Sequence, residues 1–320
     1  MIKSEAEPSR GKARYQEVDI ESQGQRLDNY LIRVLSGVPR SHIYRLIRSG
    51  QVRVNSGRVR AGYRVRGGDR IRIPPIARSL SKRQHIPFEG VQWLSERILY
   101  EDSKILVLDK PSGLAVHGGS RISLGCIEAL RSLKPTFRQA DLVHRLDRGT
   151  SGCLLVAIRR SALRSLHELL RQNAMKKSYL ALVKGCWQHG EVEVDFPLVR
   201  NRIGVRKKVE VNQKGKAART RFRVIEQFGV LRTLMEIIIM TGRTHQIRVH
   251  AAHMGHPIAG DEQYGNQQFN TQLIEKGLHR LFLHAQALEF LWPDSGEFFS
   301  VSASLPEELR IVLSKLRHQF

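Results

Sequence analysis

The sequence predicts an α+β protein, and three observations support this fold class. Apolar residues recur at helical spacing from Leu27 to Leu35, and short alternating strands follow near residues 52–73. A polar stretch containing Ser and Pro then interrupts the apolar pattern. Beyond this stretch, apolar strand segments and an apolar helix face alternate, which is typical of a mixed sheet packed with helices.

These patterns also predict the domain organisation. We expect four segments: a polar tail at residues 1–18, a small domain at 19–78, a linker at 79–90 and a large mixed-sheet domain at 91–320.

In the small domain we expect two helices followed by a hairpin. Ser41 is the predicted N-cap of the second helix, and Gly50 marks its end. Strand residues Val52 and Val54 precede an Asn-Ser-Gly turn, and Ile71 and Ile73 form the returning strand.

The large domain shows four clear strand segments and two helices. Leu163, Leu166, Leu169 and Leu170 form one helix face, and Thr244 is the predicted cap of a second helix that runs from His245 to Gly255. The predicted strands are Ile105–Leu108, Cys153–Ile158, Tyr179–Val183 and Leu234–Met240.

The charge of the chain indicates a polyanionic partner. Fifty-three Lys and Arg residues face 30 Asp and Glu residues, which gives a formal net charge of +23. Two blocks concentrate this charge, with thirteen basic residues from Arg40 to Arg83 and ten from Arg200 to Arg223. Because such blocks repel themselves, phosphate binding is the simplest explanation for them.

Composition also argues against several classes of protein. The first residues lack the apolar stretch of a signal peptide, and no run approaches the roughly 18 apolar residues of a membrane span. Cys126, Cys153 and Cys186 are odd in number and widely spaced, which argues against disulfides and thiolate metal sites. We therefore expect a cytoplasmic protein with no membrane partner and with cysteines that act as small buried hydrophobes.

The segment around Asp147 carries the chemistry. It reads His-Arg-Leu-Asp-Arg-Gly-Thr-Ser-Gly from His144 to Gly152, with an arginine on each side of the carboxylate. These arginines favour an ionised Asp147 that can act as a nucleophile or base but is a poor general acid. A lone Asp in a turn with solvated arginines is the alternative interpretation.

Four segments, in a fixed order along the chain, argue against an ordinary Asp in a turn. The Asp147 segment resembles the HRLDxxTSG signature of RluA-type pseudouridine synthases, and Lys110–His117 is similar to their KPxGxxVH block. Lys177–Gly185 resembles the KxYxAxVxG strand, and the Thr-Gly-Arg-Thr-His-Gln-Ile-Arg-Val-His run from Thr241 to His250 also fits this family. The small domain, edged by basic residues that include Arg40, Arg45, Arg48 and Arg53, resembles an S4 RNA-binding domain.

The resemblance implies an enzyme that isomerises specific uridines to pseudouridine in large-subunit (23S) ribosomal RNA. The base is detached, turned and reattached through carbon 5, so no atoms are gained and no cofactor is expected. A stacked base must first leave its helix, at a cost of a few kcal/mol. We expect a monomer whose partner is 23S ribosomal RNA or a large-subunit assembly intermediate.

The resemblance also implies roles for individual residues. Asp147 would be the catalytic carboxylate, Arg248 its salt-bridge partner and Tyr179 the ring that contacts the flipped uracil. Whether Asp147 is a nucleophile or a base stays open. Arg145 would fill the space that the base leaves, and Ile247 would support the base. Arg243 is the less favoured partner of Asp147, and Lys110 and His117 would either shape a loop or contact RNA. The expected substrate-binding residues are Arg145, His144, Ile247, Arg243, His245, Lys110 and His117.

The residues by themselves are also compatible with two other classes of function. One is a non-catalytic S4-type protein that binds ribosomal RNA or assists ribosome assembly. The other is a metallohydrolase, because His245, His250, His253 and His256 are clustered, although no HExxH pattern accompanies them. We expect these histidines to form hydrogen bonds or to contact phosphates, with no metal ligand set among them.

Overall fold

A computed structural model describes residues 13–35, 38–76, 90–118, 125–203 and 206–318 of the chain. The chain divides into two compact units, Met1–His85 and Ile86–Phe320. Apart from its last residue, the predicted linker at 79–90 lies outside the described residues, as does most of the predicted polar tail.

The first unit contains the two predicted helices and a three-stranded sheet in the order β1-β3-β2. Its elements are β1 (Arg14–Glu17), α1 (Leu27–Val34), α2 (Arg40–Arg48), β2 (Arg53–Val54) and β3 (Arg70–Ile73). One apolar core joins them, and it includes Leu27, Leu31, Ile43 and Ile71. The two helices and the antiparallel pairing of β2 with β3 are confirmed.

Two details of this unit differ from the prediction. Strand β1 lies in the segment that was predicted as a polar tail. The sequence did not predict this strand because its Arg-Tyr-Gln-Glu residues have no apolar alternation. Backbone pairing with β3 holds it in place. Ser41 is not the N-cap of α2, because Pro39 occupies that position and its carbonyl accepts from His42 and Ile43. Gly50 follows the helix with a φ of 71°, as expected for a glycine at a helix end.

The second unit is built on a mixed sheet in the order β4-β5-β7-β14-β8-β13-β12-β9, with β15 paired to β14 and β6 to β7. The strands are β4 (Ile98–Glu101), β5 (Ile105–Lys110), β6 (Asp141–Leu142), β7 (Ser151–Ala157), β8 (Met175–Lys184), β9 (Val192–Asp195), β10 (Leu198–Ile203), β11 (Arg206–Val211), β12 (Arg219–Phe228), β13 (Arg232–Ile239), β14 (Leu283–Leu291) and β15 (Phe298–Ser302). Strands β10 and β11 form a separate antiparallel hairpin. The sheet is mixed because β7 and β14 run parallel while its other pairs are antiparallel.

Helices cover both faces of this sheet. They are α3 (Cys126–Leu133), α4 (Arg160–Arg171), α5 (Gln246–His253), α6 (Gln267–Ile274) and α7 (Glu307–Arg317). Along β7, Leu154 belongs to the core that contains α3, whereas Leu155 belongs to the core that contains α4. This alternation follows from the two-residue period of a strand, and it fixes which side chains reach each face.

All four predicted strands and the Leu163 helix of this unit are confirmed. Strand β8 begins earlier than expected, at Met175 rather than Tyr179, because backbone pairing with β14 extends it through two polar lysines. Within the described ranges, no helix has the length and apolar character needed to cross a membrane.

Candidate active site

A cleft of about 1080 Å³ in the second unit gathers most of the predicted site residues. Its lining includes His144, Arg145, Asp147, Tyr179, Arg243, His245, Ile247 and Arg248. These residues come from the segment between β6 and β7, from strand β8 and from the start of α5. Three segments that are distant in the sequence therefore meet at one face of the sheet.

The segment that carries Asp147 is fixed by hydrogen bonds to its backbone. Lys110 Nζ lies 3.3 Å from the carbonyl of Arg148, and Ser112 Oγ donates to the carbonyl of Gly149 over 2.8 Å. Gly152 follows with a φ of 104°, and a Cβ there would lie 2.2 Å from the carbonyl oxygen of Ala285. Only glycine fits this close approach, which holds the start of β7 against β14.

Asp147 contacts residues of the α5 region and is partly exposed to the cleft. Its Oδ2 lies 3.5 Å from Arg248 Nη1 and 4.0 Å from His245 Nε2, and 23% of its side chain is accessible. Arg243, the less favoured partner in the sequence, instead donates from Nε to the carbonyl of Ala217. The carboxylate therefore faces a guanidinium on one side and open space on the other.

The two arginines that flank Asp147 in sequence do not hydrogen-bond to it. Arg145 donates to Thr244 Oγ1 over 3.1 Å, and Arg148 donates to the carbonyl of Gly113 over 2.8 Å. Any stabilisation of the carboxylate by these two charges therefore acts through proximity in the turn and not through a direct ion pair. Adjacent residues in a tight turn point in different directions, and each arginine finds an acceptor elsewhere.

A buried carboxylate, that of Asp261, orients Arg248. Asp261 accepts from Arg248 Nε over 2.7 Å and from Nη2 over 2.8 Å, while its own side chain has no accessible surface. Burial opposes the ionised form of Asp261, but the hydrogen bonds and charge of Arg248 outweigh burial and lower its pKa. This bidentate pair leaves Nη1 of Arg248 for Asp147.

Tyr264 supports both partners of Asp147. Its hydroxyl accepts from the Val209 amide over 3.0 Å and lies 2.9 Å from His245 Nδ1, and its ring centroid is 5.0 Å from the Arg248 guanidinium. A hydroxyl proton donated to His245 Nδ1 would leave the proton of that ring on Nε2, toward Asp147. Burial lowers the pKa of His245, which favours this neutral imidazole at pH 7.

The start of α5 differs from the prediction. His245 is the N-cap, with a left-handed φ of 54°, and Thr244 does not cap the helix because its hydroxyl accepts from Arg145. The side chain of Gln246 organises this turn instead, since its Oε1 accepts from Thr241 Oγ1 and from the amide of Arg243. The helix ends as expected, before Gly255 in the left-handed region.

Tyr179 and Ile247 form the apolar part of the cleft. Tyr179 is 4% exposed and Ile247 is 5% exposed, and both belong to the main core. Burial and, secondly, the charge of Asp147 raise the pKa of Tyr179, which keeps its hydroxyl protonated. The carboxylate is therefore close enough to the ring to act on it electrostatically.

His144 lies in the cleft wall as a neutral ring. Its Nε2 accepts from the amide of Leu155 over 3.0 Å. Burial, with a smaller effect from the charge of Lys177, lowers the pKa of His144 to about 3. Nε2 of His144 is thus occupied by a hydrogen bond from the backbone of β7.

Lys110 and His117 are not brought into the cleft lining. Lys110 is fully buried, donates to the carbonyls of Pro111, Leu114 and Arg148, and has a pKa lowered to about 8 by burial. Of the two roles left open for Lys110, these contacts favour shaping the loop. His117 is exposed just before a segment outside the described residues.

Sequence reasoning did not identify Asp261, Tyr264 or Lys177 as individual site residues. Asp261 and Tyr264 follow a glycine in a Gly-Asp-Glu-Gln-Tyr-Gly turn, and an Asp in a turn is too common to attract attention. Lys177 had a usable signal, because a lysine inside an otherwise apolar strand, two residues from a tyrosine, shares the buried face of that tyrosine.

The clustered histidines have separate partners. His250 bonds to Thr220 Oγ1 and the carbonyl of Phe196, His256 bonds to the carbonyl of Lys184, and the ring of His253 packs on that of Phe196. Across the described ranges, no three His, Cys, Asp or Glu residues converge as a metal site would need.

The cysteines behave largely as expected. Cys126 and Cys153 are buried, and burial raises the pKa of each thiol to about 12, while Cys186 is partly buried. All three are free thiols.

The four arginines expected to bind RNA lie on the first unit. Arg40, Arg45 and Arg48 project from α2 and Arg53 from β2, and all four are exposed. No carboxylate of the described residues forms an ion pair with them, so their charges remain available to a ligand.

Comparisons with known proteins place these features in a family. Residues 104–253 match the family model of RNA pseudouridylate synthase, and residues 25–71 match that of the S4 domain. The chain is 51% identical over 300 residues to ribosomal large subunit pseudouridine synthase C of Escherichia coli K12, which spans 92% of this chain and 94% of that protein. The corresponding protein of Pasteurella multocida is 49% identical over 301 residues, which span 92% of this chain and 91% of that protein.

A solved structure shows the same fold in the second unit. Human RNA pseudouridylate synthase domain containing 4 aligns with a TM-score of 0.60 and 25% identity, over 72% of this chain and 96% of that one. The ordered segments predicted from the sequence, the mixed sheet and the S4 match agree with the similarity to the curated relatives. This chain therefore belongs to the RNA pseudouridine synthase family, and its catalytic unit is preceded by an S4 domain.

Proposed function

We propose that this enzyme converts specific uridines of large-subunit (23S) ribosomal RNA to pseudouridine, with Asp147 as the catalytic carboxylate. The observation that carries the proposal is the position of Asp147, which is partly exposed to the cleft, 3.5 Å from Arg248, and close enough to Tyr179 to raise the pKa of that buried ring. The choice of ribosomal RNA follows from the relatives, whose names specify the large ribosomal subunit.

The cleft residues suit the steps of this isomerisation. The bond between ribose C1′ and uracil N1 breaks, the base turns, and a bond from C1′ to C5 forms. C5 loses its proton and N1 gains one. The product has the same composition as the substrate, so the reaction consumes no cofactor. Asp147 would supply the anion as nucleophile or base, with Arg248 and His245 fixing its orientation.

Access to the uridine requires that the base leave its stack. Tyr179 would contact the flipped uracil, a contact worth about 1 to 3 kcal/mol on the general scale for base stacking. Arg145 is exposed beside the cleft and is anchored on Thr244, a position suited to filling the space that the base vacates. The exposed arginines of the S4 domain would bind RNA phosphates away from the reacting uridine.

We further propose that the enzyme acts as a monomer in the cytoplasm. Its substrate would be free 23S RNA or a large-subunit assembly intermediate.

The test is a map of pseudouridines in large-subunit RNA. An unmodified 23S transcript and an assembly intermediate from cells lacking the gene are each incubated with purified enzyme, with and without chelator. We expect pseudouridine at a small number of defined sites and no effect of chelator. Binding without any conversion would support the non-catalytic RNA-binding alternative. Cleavage of the RNA in place of conversion, abolished by chelator, would support the metallohydrolase class.

A further inference from the structure

Lys177 is a buried cation in the cleft that the proposed reaction does not use. It lies on β8 two residues before Tyr179 and therefore on the same face of that strand. Lys177 lines the cleft and is only 5% exposed. Its neighbour Lys176 points to the opposite face, is exposed, and pairs with Glu289 over 3.0 Å.

The ammonium of Lys177 lacks an anionic partner among the residues that the structure describes. Lys110, which is also buried, donates to three carbonyls, and Arg248 is neutralised by Asp261. Lys177 has no comparable hydrogen bond or ion pair, and burial alone lowers its pKa to about 8. The side chain is thus largely buried in the cleft wall without a countercharge, and an anionic ligand in the cleft would supply one.

The position of Lys177 along β8 sets it apart from Tyr179 in the cleft. The two residues are two positions apart on one strand, so their side chains lie on the same face about two residue rises, or roughly 7 Å, apart along it. His144 lines the same cleft, and the charge of Lys177 contributes to the lowered pKa of that ring.

Residues in and just after the last turns of α4 line the same cleft. We group them with Lys177 and His144 as the Lys177 subsite, which consists of Lys177, His144, His167, Arg171 and Asn173. The nearby carboxylate of Glu168 is exposed and bonds to Arg171 and Gln172. The volume of about 1080 Å³ exceeds the roughly 300 to 1,000 Å³ of pockets for drug-sized ligands, so the cleft has room for more than one nucleotide.

We propose that the Lys177 subsite binds a phosphodiester of the RNA substrate next to the nucleotide held at Asp147. This inference rests on the proposed function, because it assumes an RNA in the cleft. A phosphate supplies the full negative charge that the buried ammonium lacks, and lysine is a common point-charge ligand for phosphate. A uracil carbonyl could accept a hydrogen bond but would leave the charge uncompensated.

The first experiment compares Lys177→Met with Lys176→Met, both in the full-length Asp147→Asn protein so that the RNA is not converted. Methionine keeps the length of the side chain, and both variants lose one positive charge. The ligand is a short hairpin of 23S RNA that contains a uridine modified by the parent enzyme. We expect Lys177→Met to weaken binding about tenfold and to reduce the slope of log affinity against log salt by about 0.7 to 0.9. Lys176→Met should change neither quantity by a comparable amount.

Thermal unfolding separates this role from a structural one. Because an unpaired buried charge is removed, Lys177→Met should melt at the same temperature as the parent or higher. A melting temperature lowered by several degrees with an unchanged salt slope would show that Lys177 serves the fold. Equal affinity and equal slope for the two variants would also overturn the proposal.

A second experiment does not depend on the folding of any Lys177 variant. Single methylphosphonates, which are uncharged, replace the phosphates around the modified uridine one at a time. One flanking position should weaken binding about tenfold in the protein that carries Lys177 and have no effect in Lys177→Met. Equal sensitivity in both proteins at every position would exclude a phosphate at Lys177 and would leave a nucleobase contact. Pseudouridine formation by the parent enzyme is measured in parallel, and its failure would instead contradict the proposed function.

Discussion

Arginines serve different purposes in the two units of this enzyme. On the S4 domain, Arg40, Arg45 and Arg48 extend from one helix into solvent and form no ion pair with the described residues. In the catalytic unit, Arg248 is only 12% exposed and is held between Asp261 and Asp147. An exposed guanidinium is free to bind a phosphate in many orientations, whereas a buried one is fixed and can fix its neighbours in turn.

This contrast predicts how substitutions should behave in each unit. Removing one member of a buried charge pair leaves the other uncompensated, which costs about 3 to 5 kcal/mol. Removing an exposed arginine changes stability little and removes the charge that would bind one phosphate. Effects in the catalytic unit should therefore be large and specific to chemistry, and those in the S4 domain small and dependent on salt.

Asp147→Asn gives the largest expected effect and tests the role of the charged residues in the catalytic unit. Asparagine keeps the shape of the side chain but removes the anion that each version of the mechanism needs, so turnover should fall by about 10² or more. RNA affinity and the melting temperature should stay near those of the parent. Single-turnover pseudouridine formation is the measurement, and a rate within about tenfold of the parent would exclude Asp147 as the catalytic group.

Arg248→Ala should have the next largest effect, with Arg243→Ala as its matched control. Loss of Arg248 removes the partner of Asp147 and leaves Asp261 buried without its guanidinium, so both turnover at saturating RNA and the free energy of unfolding should fall, the latter by about 3 to 5 kcal/mol. Arg243 is more exposed and donates to one carbonyl, and its loss should cost less in both measurements. A reversed ranking in turnover would transfer the partner role to Arg243.

Asp261→Asn tests whether Asp261 acts by orienting Arg248 toward Asp147. Asparagine can still accept one hydrogen bond from Arg248 but cannot hold it through two charged oxygens. We expect kcat to fall with little change in RNA affinity, because Asp261 has no access to a ligand. A change confined to affinity would show that Asp261 does not act through the orientation of Arg248.

The stability of the catalytic unit should depend on acid through histidines whose pKa values are lowered in the fold. The unfolded chain protonates His144 near its ordinary pKa of about 6.5, whereas in the fold burial lowers that pKa to about 3. Between these values the unfolded state binds more protons, so the free energy of unfolding should fall as the pH is lowered from about 6.5 toward 3. Urea unfolding at pH 7, 6, 5 and 4 measures this dependence.

His144→Gln is the control for that measurement, since glutamine can accept from the Leu155 amide without titrating. The variant should lose stability less steeply than the parent over the same pH range, although other buried histidines with lowered pKa values, such as His250 and His284, remain. Identical slopes in the two proteins would contradict the assignment to His144.

The smallest expected effect tests the role of the exposed arginines of the S4 domain. A full-length variant with Arg40, Arg45, Arg48 and Arg53 changed to Gln should keep its melting temperature and its turnover at saturating RNA. Its plot of log affinity against log salt should flatten by about 0.7 to 0.9 for each RNA phosphate that the variant no longer binds. An unchanged slope would mean that these arginines form a solvated surface and that the RNA footprint lies elsewhere, with Arg200–Arg223 as the next candidate.

The sequence predicted some of the elements, and the segments of the site, because their signals are local. The continuous apolar run around Leu154 and Leu155 predicted a strand, which the structure shows to be buried on both faces, and the spacing of Leu163 and Leu166 predicted a helix. Motif segments around Asp147, Tyr179 and Arg248 were also readable in order along the chain. Boundaries were less certain, as at α2 and α5, because capping depends on one side chain that can find a different partner.

The partners of these residues were decided by the tertiary structure. Arg145 and Arg148 are neighbours of Asp147 in sequence yet turn away from it, whereas Arg248 approaches it from 101 positions along the chain. Asp261 is recognisable as part of the site only once it is buried against Arg248.

The sequence by itself determined the α+β class, the basic character of the S4 domain and the motif segments of the candidate site, since these follow from residue type and spacing within a few turns or strands. Only the tertiary structure decided which charges are compensated. Burial and distance set the energy of a charge, and neither is defined until the sheet and α5 are packed together. For this reason Lys177, which the sequence shows only as the first residue of a strand motif, becomes in the fold a buried cation without an anionic partner among the described residues.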